Sequence, residues 1–224
     1  MSFDSPPGIV TPPVEKYLNA ILRPRNNVLN NLEKDAANNG VPIVGPAEGN
    51  FLSLMAMSCQ AKNILEVGTA TGYSGIWLAR VAKENSGKLT TIEFDPSRAK
   101  IASKSFRDAG VADAVEIVRG DAKEEVPRLA KKYPGGFDLV FIDVGDKSLY
   151  AELIEPSVRA LRVGGLLVAD NTLWLGLVAV PSANGIETRN LREYNKRVYA
   201  DERLYPVIVP LRDGVTVAIK LKNK

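Results

Sequence analysis

The chain has 224 residues, 45% apolar and 25% charged, an ordinary globular composition for one domain that excludes disordered and fibrous architectures. Its 29 basic and 26 acidic side chains leave a net charge of +3, which permits an anionic partner without demanding one. One cysteine, Cys59, and no histidine exclude a disulfide framework, a cysteine zinc cluster, histidine-ligated metals and Ser-His-Asp or Cys-His nucleophile pairs.

The opening MSFDSPPGIVTPP has neither the basic start nor the apolar run of a signal peptide. Pro12 and Pro13 stand where a helix can begin, and Tyr17, Leu18, Ile21 and Leu22 follow at helical spacing until Pro24 interrupts them. A second helix is predicted from about Asn26 to Asn38, with Gly40 as its stop. A third follows Pro46, where Phe51, Leu52, Leu54, Met55 and Met57 fill most faces and predict a well-buried helix.

From residue 63 strands and helices alternate. Strands are predicted at Asn63–Val67, Lys88–Phe94, Ala114–Val118, Phe137–Asp143 and Leu166–Asp170. Between them lie helices over Tyr73–Lys83, from Pro96 to near Gly110, over Glu124–Lys132, and over Leu149–Leu161 closing at Gly164. This alternation means βαβ units and a parallel sheet. The tail differs: a helix over Glu187–Tyr199 with Leu191, Tyr194 and Val198 on one face, then strands Tyr205–Leu211 and Val215–Leu221 joined by Arg212-Asp213-Gly214, a hairpin signal. The reading is one α/β domain with a doubly wound, mostly parallel seven-stranded sheet whose final pair is antiparallel. Residues 1–60 form an N-terminal helical lid or substrate segment, and 61–224 a cofactor-binding core. No stretch reaches the ~18 uninterrupted apolar residues of a membrane span; 166–180 is broken by Asp170 and Asn171. The expected location is the cytoplasm, without a membrane partner.

The turn after the first strand reads Glu66-x-Gly68-Thr69-Ala70-x-Gly72. Small residues let a backbone approach a ligand closely, and the next helix offers free N–H groups. Glu93 ends the second strand, where a carboxylate can accept both hydroxyls of an adenosine ribose. The G-x-G-x-x-G pattern of nicotinamide cofactors fails, because Ala70 and Tyr73 take two of its glycine positions. Glu66, two residues before the first glycine, suits a ligand carrying an ammonium group. A tight βα turn followed by a surface acid is the plainer reading of the same residues.

Two later strands finish in acids, Asp143 and Asp170, and Asn171 follows directly. If those strands are neighbours, three oxygen donors converge, a set for a hard cation such as Mg²⁺, Mn²⁺ or Ca²⁺. Each residue could instead cap the segment after it. Lys147 is the candidate base, since a nearby divalent cation disfavours its protonated form.

These segments resemble the class I S-adenosylmethionine-dependent methyltransferases, and more narrowly the cation-dependent O-methyltransferases that include catechol and caffeoyl-CoA O-methyltransferases. The likeness runs from about Pro42 to Lys220. It rests on ILEVGTATGYS at 64–74, LTTIEFD at 89–95, GDA at 120–122, LVFIDVGDK at 139–147, VGGLLVADNTLW at 163–174 and LRDGVTVAIK at 211–220. It implies a sheet ordered 3-2-1-4-5-7-6, S-adenosylmethionine as methyl donor, and metal ligands at Asp143, Asp170 and Asn171. It implies cofactor contacts at Val44, Glu66, Gly68, Thr69, Gly72, Ser74, Glu93, Ala122 and Asp143. The acceptor it implies is a small catechol-like phenol, with Lys147 and Asp143 catalytic and Trp174 walling the substrate site. A homodimer is also implied. Two departures stand out. Many relatives read I-D-A-D-K where this chain has Ile142-Asp143-Val144-Gly145-Asp146-Lys147, one residue longer. Leu175 replaces a substrate-binding Asn of plant relatives, against a caffeoyl-CoA substrate.

Arg189, Arg192 and Lys196 recur at helical spacing, and a basic stripe can track phosphates. Because some relatives methylate a hydroxylated uridine, tRNA is the alternative substrate. Interleaved Glu187, Glu193, Asp201 and Glu202 favour an ordinary solvated face.

Overall fold

The computed structural model describes residues 11–22 and 25–224. The first ten residues and Pro24, with the expectations placed on them, lie outside the described residues.

Three helices precede the sheet. In α1 (Pro12–Ile21) no residue is buried, and Tyr17 and Ile21 face outward. α2 (Asn27–Asn39) begins where the Asn26 side chain accepts from the Leu29 N–H and ends at Gly40, whose φ of +65° suits glycine. α3 (Gly45–Ser58) corrects the expectation of a well-buried apolar helix. Leu54 and Met57 are exposed, and the stripe turned inward is Glu48, Leu52 and Ala56, at i, i+4 and i+8.

The sheet has seven strands in the order β3-β2-β1-β4-β5-β7-β6, as the resemblance implied. β1 (Asn63–Val67), β2 (Lys88–Glu93), β3 (Val115–Arg119), β4 (Phe137–Ile142) and β5 (Leu161–Ala169) run parallel, and β6 (Leu204–Val209) and β7 (Val215–Lys220) add an antiparallel pair. The hairpin turn is five residues, 210–214, rather than three. Alternate strand residues serve opposite faces, as a two-residue period requires. Ile64, Leu139 and Phe141 pack with α3, α4 (Tyr73–Glu84) and α5 (Pro96–Asp108). Leu65, Val140 and Ile142 pack with α6 (Ala122–Lys132), α7 (Leu149–Ala160) and α8 (Ile186–Ala200). The result is a three-layer sandwich with two cores. No helix of the described residues is long and apolar enough to cross a membrane.

Gly164 does not close α7. The chain passes from Ala160 into β5 at once, and the Gly164-Gly165 pair sits inside the strand, where the β4–β5 register shifts between Phe137 and Leu139. Gly164 has φ +78°, and a Cβ on Gly165 would stand 2.9 Å from the Asp138 carbonyl oxygen. The pair is a bulge rather than a helix stop.

Candidate active site

A cavity of about 850 Å³ opens at the carboxyl edge of the sheet. Gly68, Glu93, Gly120, Asp143 and Asp170, which follow or end the five parallel strands, all reach it. This is where a doubly wound sheet binds ligands, and the volume suits a nucleoside-sized molecule plus a small partner.

The glycine turn is shaped by close approach. Gly68 has φ +104°, and any Cβ there would overlap the Asp143 carbonyl oxygen. That approach exists because the Asp143 N–H donates to the Val67 carbonyl at 2.9 Å, extending the β1–β4 pairing past the strand ends. Gly72, with φ +89°, starts α4 against the Phe106 ring. Gly68 and Ala70 line the cavity, while Thr69 and Gly72 stand behind the turn.

Glu66 is fully buried beneath that turn. Ser74 Oγ donates to its Oε1 and Thr91 Oγ1 to its Oε2, each at 2.6 Å. Burial pushes its carboxyl up to about 7, against the pull of those two hydroxyls. The structure therefore places Glu66 and Ser74 in contact with each other rather than on the cavity wall. Val44, also buried, gives its carbonyl oxygen to the Arg212 guanidinium, and its neighbours Pro42 and Ile43 form the wall instead.

Glu93 and Ala122 do line the cavity. The Glu93 carboxylate is fixed by the Ala70 N–H at 2.8 Å and the Asp95 N–H at 2.9 Å. Those two bonds leave one further lone pair on each oxygen for a ligand hydroxyl. Phe94 stands exposed beside it on the same wall.

The acidic strand ends are neighbours, as β4 pairs with β5 in register Ile142↔Ala169. Asp143, Asp170 and Asn171 share one rim of the cavity. Burial, then the negative Asp143, pushes Asp170 up to about 7, and burial likewise raises Asp143 against the pull of Lys147 and Arg212. Asn171 adopts φ +58°. Its amide oxygen accepts from Lys147 Nζ at 2.7 Å, and its Nδ2 donates to Asp170 Oδ2 at 3.1 Å. No group of three or more Asp, Glu, Cys or His side chains among the described residues is gathered closely enough to hold an ion, so the Asn171 oxygen is needed to complete any donor set.

The extra residue near Lys147 does not carry it away from the rim. Gly145 has open space around it, and Lys147 Nζ reaches the Val144 carbonyl (2.9 Å) and Tyr150 Oη (2.8 Å) as well as Asn171. All three N–H bonds of the ammonium are thereby used. Burial pushes its pKa down, partly offset by Asp143 and Asp170. Trp174, itself at φ +48°, is half-buried and forms part of the wall, with Lys147 Nζ 5.8 Å from its ring. Trp174, Leu175 and Gly176 are successive left-handed residues, a strained turn held beside the cavity.

Two residues that sequence reasoning did not single out belong here. Glu48 is fully buried, and burial, followed by the negative charge of Asp170, holds its carboxyl well above the usual range. Its signal was the helical spacing with Leu52 and Ala56. Arg212, at the β6–β7 turn, lines the cavity and pairs with Glu48 Oε2 at 3.2 Å. The basic stripe is less free than its spacing suggests. The Arg192 guanidinium donates inward to the carbonyls of Leu177, Val178, Val180 and Ala183.

The chain is similar to known proteins over nearly its whole length. A catechol O-methyltransferase of Niastella koreensis is 36% identical over 213 residues, 92% of this chain and 96% of that protein. The O-methyltransferase TomG of Streptomyces achromogenes, involved in tomaymycin synthesis and solved in complex with S-adenosylmethionine, superposes with a TM-score of 0.84 at 29% identity, covering 94% of this chain and 96% of TomG. An O-methyltransferase of Bacillus cereus in complex with SAH gives 0.83 at 28% identity, with 93% and 97% covered. Residues 20–221 match the family model described as O-methyltransferase. With seven strands in this order, a cofactor-sized cavity at their carboxyl ends and that match across the chain, the protein belongs to the O-methyltransferase family.

Proposed function

We propose that this O-methyltransferase moves a methyl group from S-adenosylmethionine to one hydroxyl of a small catechol-like acceptor held on a divalent cation, Mg²⁺ ahead of Mn²⁺ or Ca²⁺. The observation that carries the reading is the meeting of Asp143 with Asp170 and Asn171 on the rim of the cofactor-sized cavity, beside Lys147. The donor set fits a hard cation, being all oxygen, and two carboxylates whose pKa values are both raised by burial, Asp170 further by the negative Asp143, are charges that a dication offsets. Asp143, Asp170 and Asn171 would hold it. When bound, such a cation orients two adjacent acceptor oxygens and lowers the pKa of a hydroxyl.

The rest falls to the chain's own residues. Glu93 would accept the ribose hydroxyls of the methyl donor, and the Gly68–Gly72 turn lets the backbone approach its methionine end. Lys147 Nζ stands where it would hold the proton taken from the acceptor hydroxyl. Trp174 and the strained turn after Asp170 form a wall that limits the acceptor's orientation. Methyl transfer needs little acid–base help beyond that deprotonation, so positioning supplies most of the acceleration.

The test is calorimetric titration of S-adenosylmethionine, then methyl transfer to a panel of catechols with Mg²⁺ and with chelator. Saturable binding with chelator-sensitive turnover, lost in Asp143→Asn, is the expected result. Turnover indifferent to chelator would remove the cation from the reading, and absence of S-adenosylmethionine binding would remove the reaction.

A further inference from the structure

We propose that a second cavity, at the amino-terminal edge of the sheet, binds a small tetrahedral oxyanion of the phosphate class. It measures about 470 Å³, and Arg159, Arg162, Arg203 and Lys220 line it against one acid, Glu155. It is separate from the methyl-transfer site. Asp170 follows the last residue of β5, whereas this cavity begins at the strand's first residues, roughly 20 Å away, the length that β4 spans from Phe137 to just past Ile142 beside the bulged strand.

The argument starts from the register of β7. Thr216, Ala218 and Lys220 fall on its buried side, and Lys220 is only 3% exposed. That position suits an apolar side chain, yet the sequence supplies an ammonium. Of its three N–H bonds one is accounted for among the described residues, donated to the Leu161 carbonyl at 2.7 Å. Arg203 is matched by Asp201 and Glu155, each at 2.7 Å, and Arg162 by Asp138 at 2.6 Å. Lys220 and Arg159 form no ion pair among the described residues. Burial and the like charge of Arg203 both push the Lys220 ammonium's pKa down, the direction expected where a cation faces other cations. Arg162 and Arg203 are engaged by their acids, and Arg162 also by the Val163 and Cys59 carbonyls, so the Arg159 guanidinium and the spare N–H bonds of the Lys220 ammonium are the donors left to match the several acceptor oxygens of a phosphate.

The experiment is calorimetric titration of inorganic phosphate into the full chain at constant ionic strength, with sodium chloride as control and glycerol 3-phosphate as a second probe. Lys220→Met keeps an unbranched side chain on the buried face, and Arg159→Ala alters an exposed residue. An unchanged S-adenosylmethionine isotherm shows that each variant is intact. The expected result is single-site phosphate binding, weakened roughly tenfold or more in each variant. Glycerol 3-phosphate binding as tightly as phosphate would assign the site to phosphate esters; weaker binding would assign it to the free ion. No saturable binding, binding unchanged in both variants, or an equal response to chloride overturns the proposal.

Discussion

Lys147 Nζ lies 2.7 Å from Asn171 Oδ1, so the candidate base and one candidate metal donor share a hydrogen bond. Lys147→Met removes the base and frees that oxygen together. Turnover should fall by about a hundredfold or more, with S-adenosylmethionine affinity unchanged. Mn²⁺ affinity, read by calorimetry, should be no weaker than in the parent. Undiminished turnover would take the proton-holding role from Lys147. Weakened Mn²⁺ binding would mean the ammonium supports the donor set rather than competing with it.

Glu66 makes a pH prediction. Its folded-state pKa of about 7 lies above the ordinary 4.5, so the folded chain holds this proton more tightly than the unfolded one. The resulting stabilisation is complete below about pH 4.5 and is lost as pH rises through about 7. Its ceiling is about 3 kcal/mol. Glu66→Gln cannot lose that proton. From pH 5 to 8 its unfolding free energy in urea should therefore gain on the parent's, and parallel pH profiles would show that Glu66 does not titrate in that window.

Gly68→Ala joins a positive φ to an overlap with the Asp143 carbonyl. Backbone strain and displacement of the β1–β4 ends should cost about 2–5 kcal/mol. Chemical denaturation measures this directly, and a loss below 1 kcal/mol would mean that the turn can shift without penalty.

Arg212 tethers α3 to the β6–β7 turn through the Val44 carbonyl and Glu48. Arg212→Met leaves a buried carboxyl without its cation, and should destabilise by about 2 kcal/mol, less than for a fully buried pair because the guanidinium is partly solvated. In Glu48→Gln the same arginine substitution should cost measurably less. Equal costs in the two backgrounds would show that the pair is not coupled.

Arg192 ties α8 to four carbonyls of the 177–183 segment that follows Trp174. Arg192→Ala should loosen this segment and with it Trp174 on the cavity wall, raising KM for the catechol several-fold with little change in S-adenosylmethionine affinity. An unchanged KM would separate the segment from acceptor binding.

The linear chain carried the fold because strand and helix signals alternate cleanly. Buried strands read as apolar runs, Asn26 and Gly40 bracket α2, and Leu191, Tyr194 and Val198 mark one face of α8. Asp143, Asp170, Asn171 and Glu93 were legible as candidates because they sit at or just beyond strand ends, where topology alone directs side chains to one edge. Three features were decided only by tertiary structure. Glu66 and Ser74 are eight residues apart in sequence, and α4 packing on β1 and β2 brings them into contact with each other. Gly164 reads as a helix stop, but pairing with β4 makes it part of a bulge. Glu48 and Arg212 are 164 residues apart and meet only when the β6–β7 turn folds over α3. Local residue pattern sets which elements form and which end of each strand is polar; which side chains then satisfy or charge one another depends on non-local packing, which no spacing in the chain encodes.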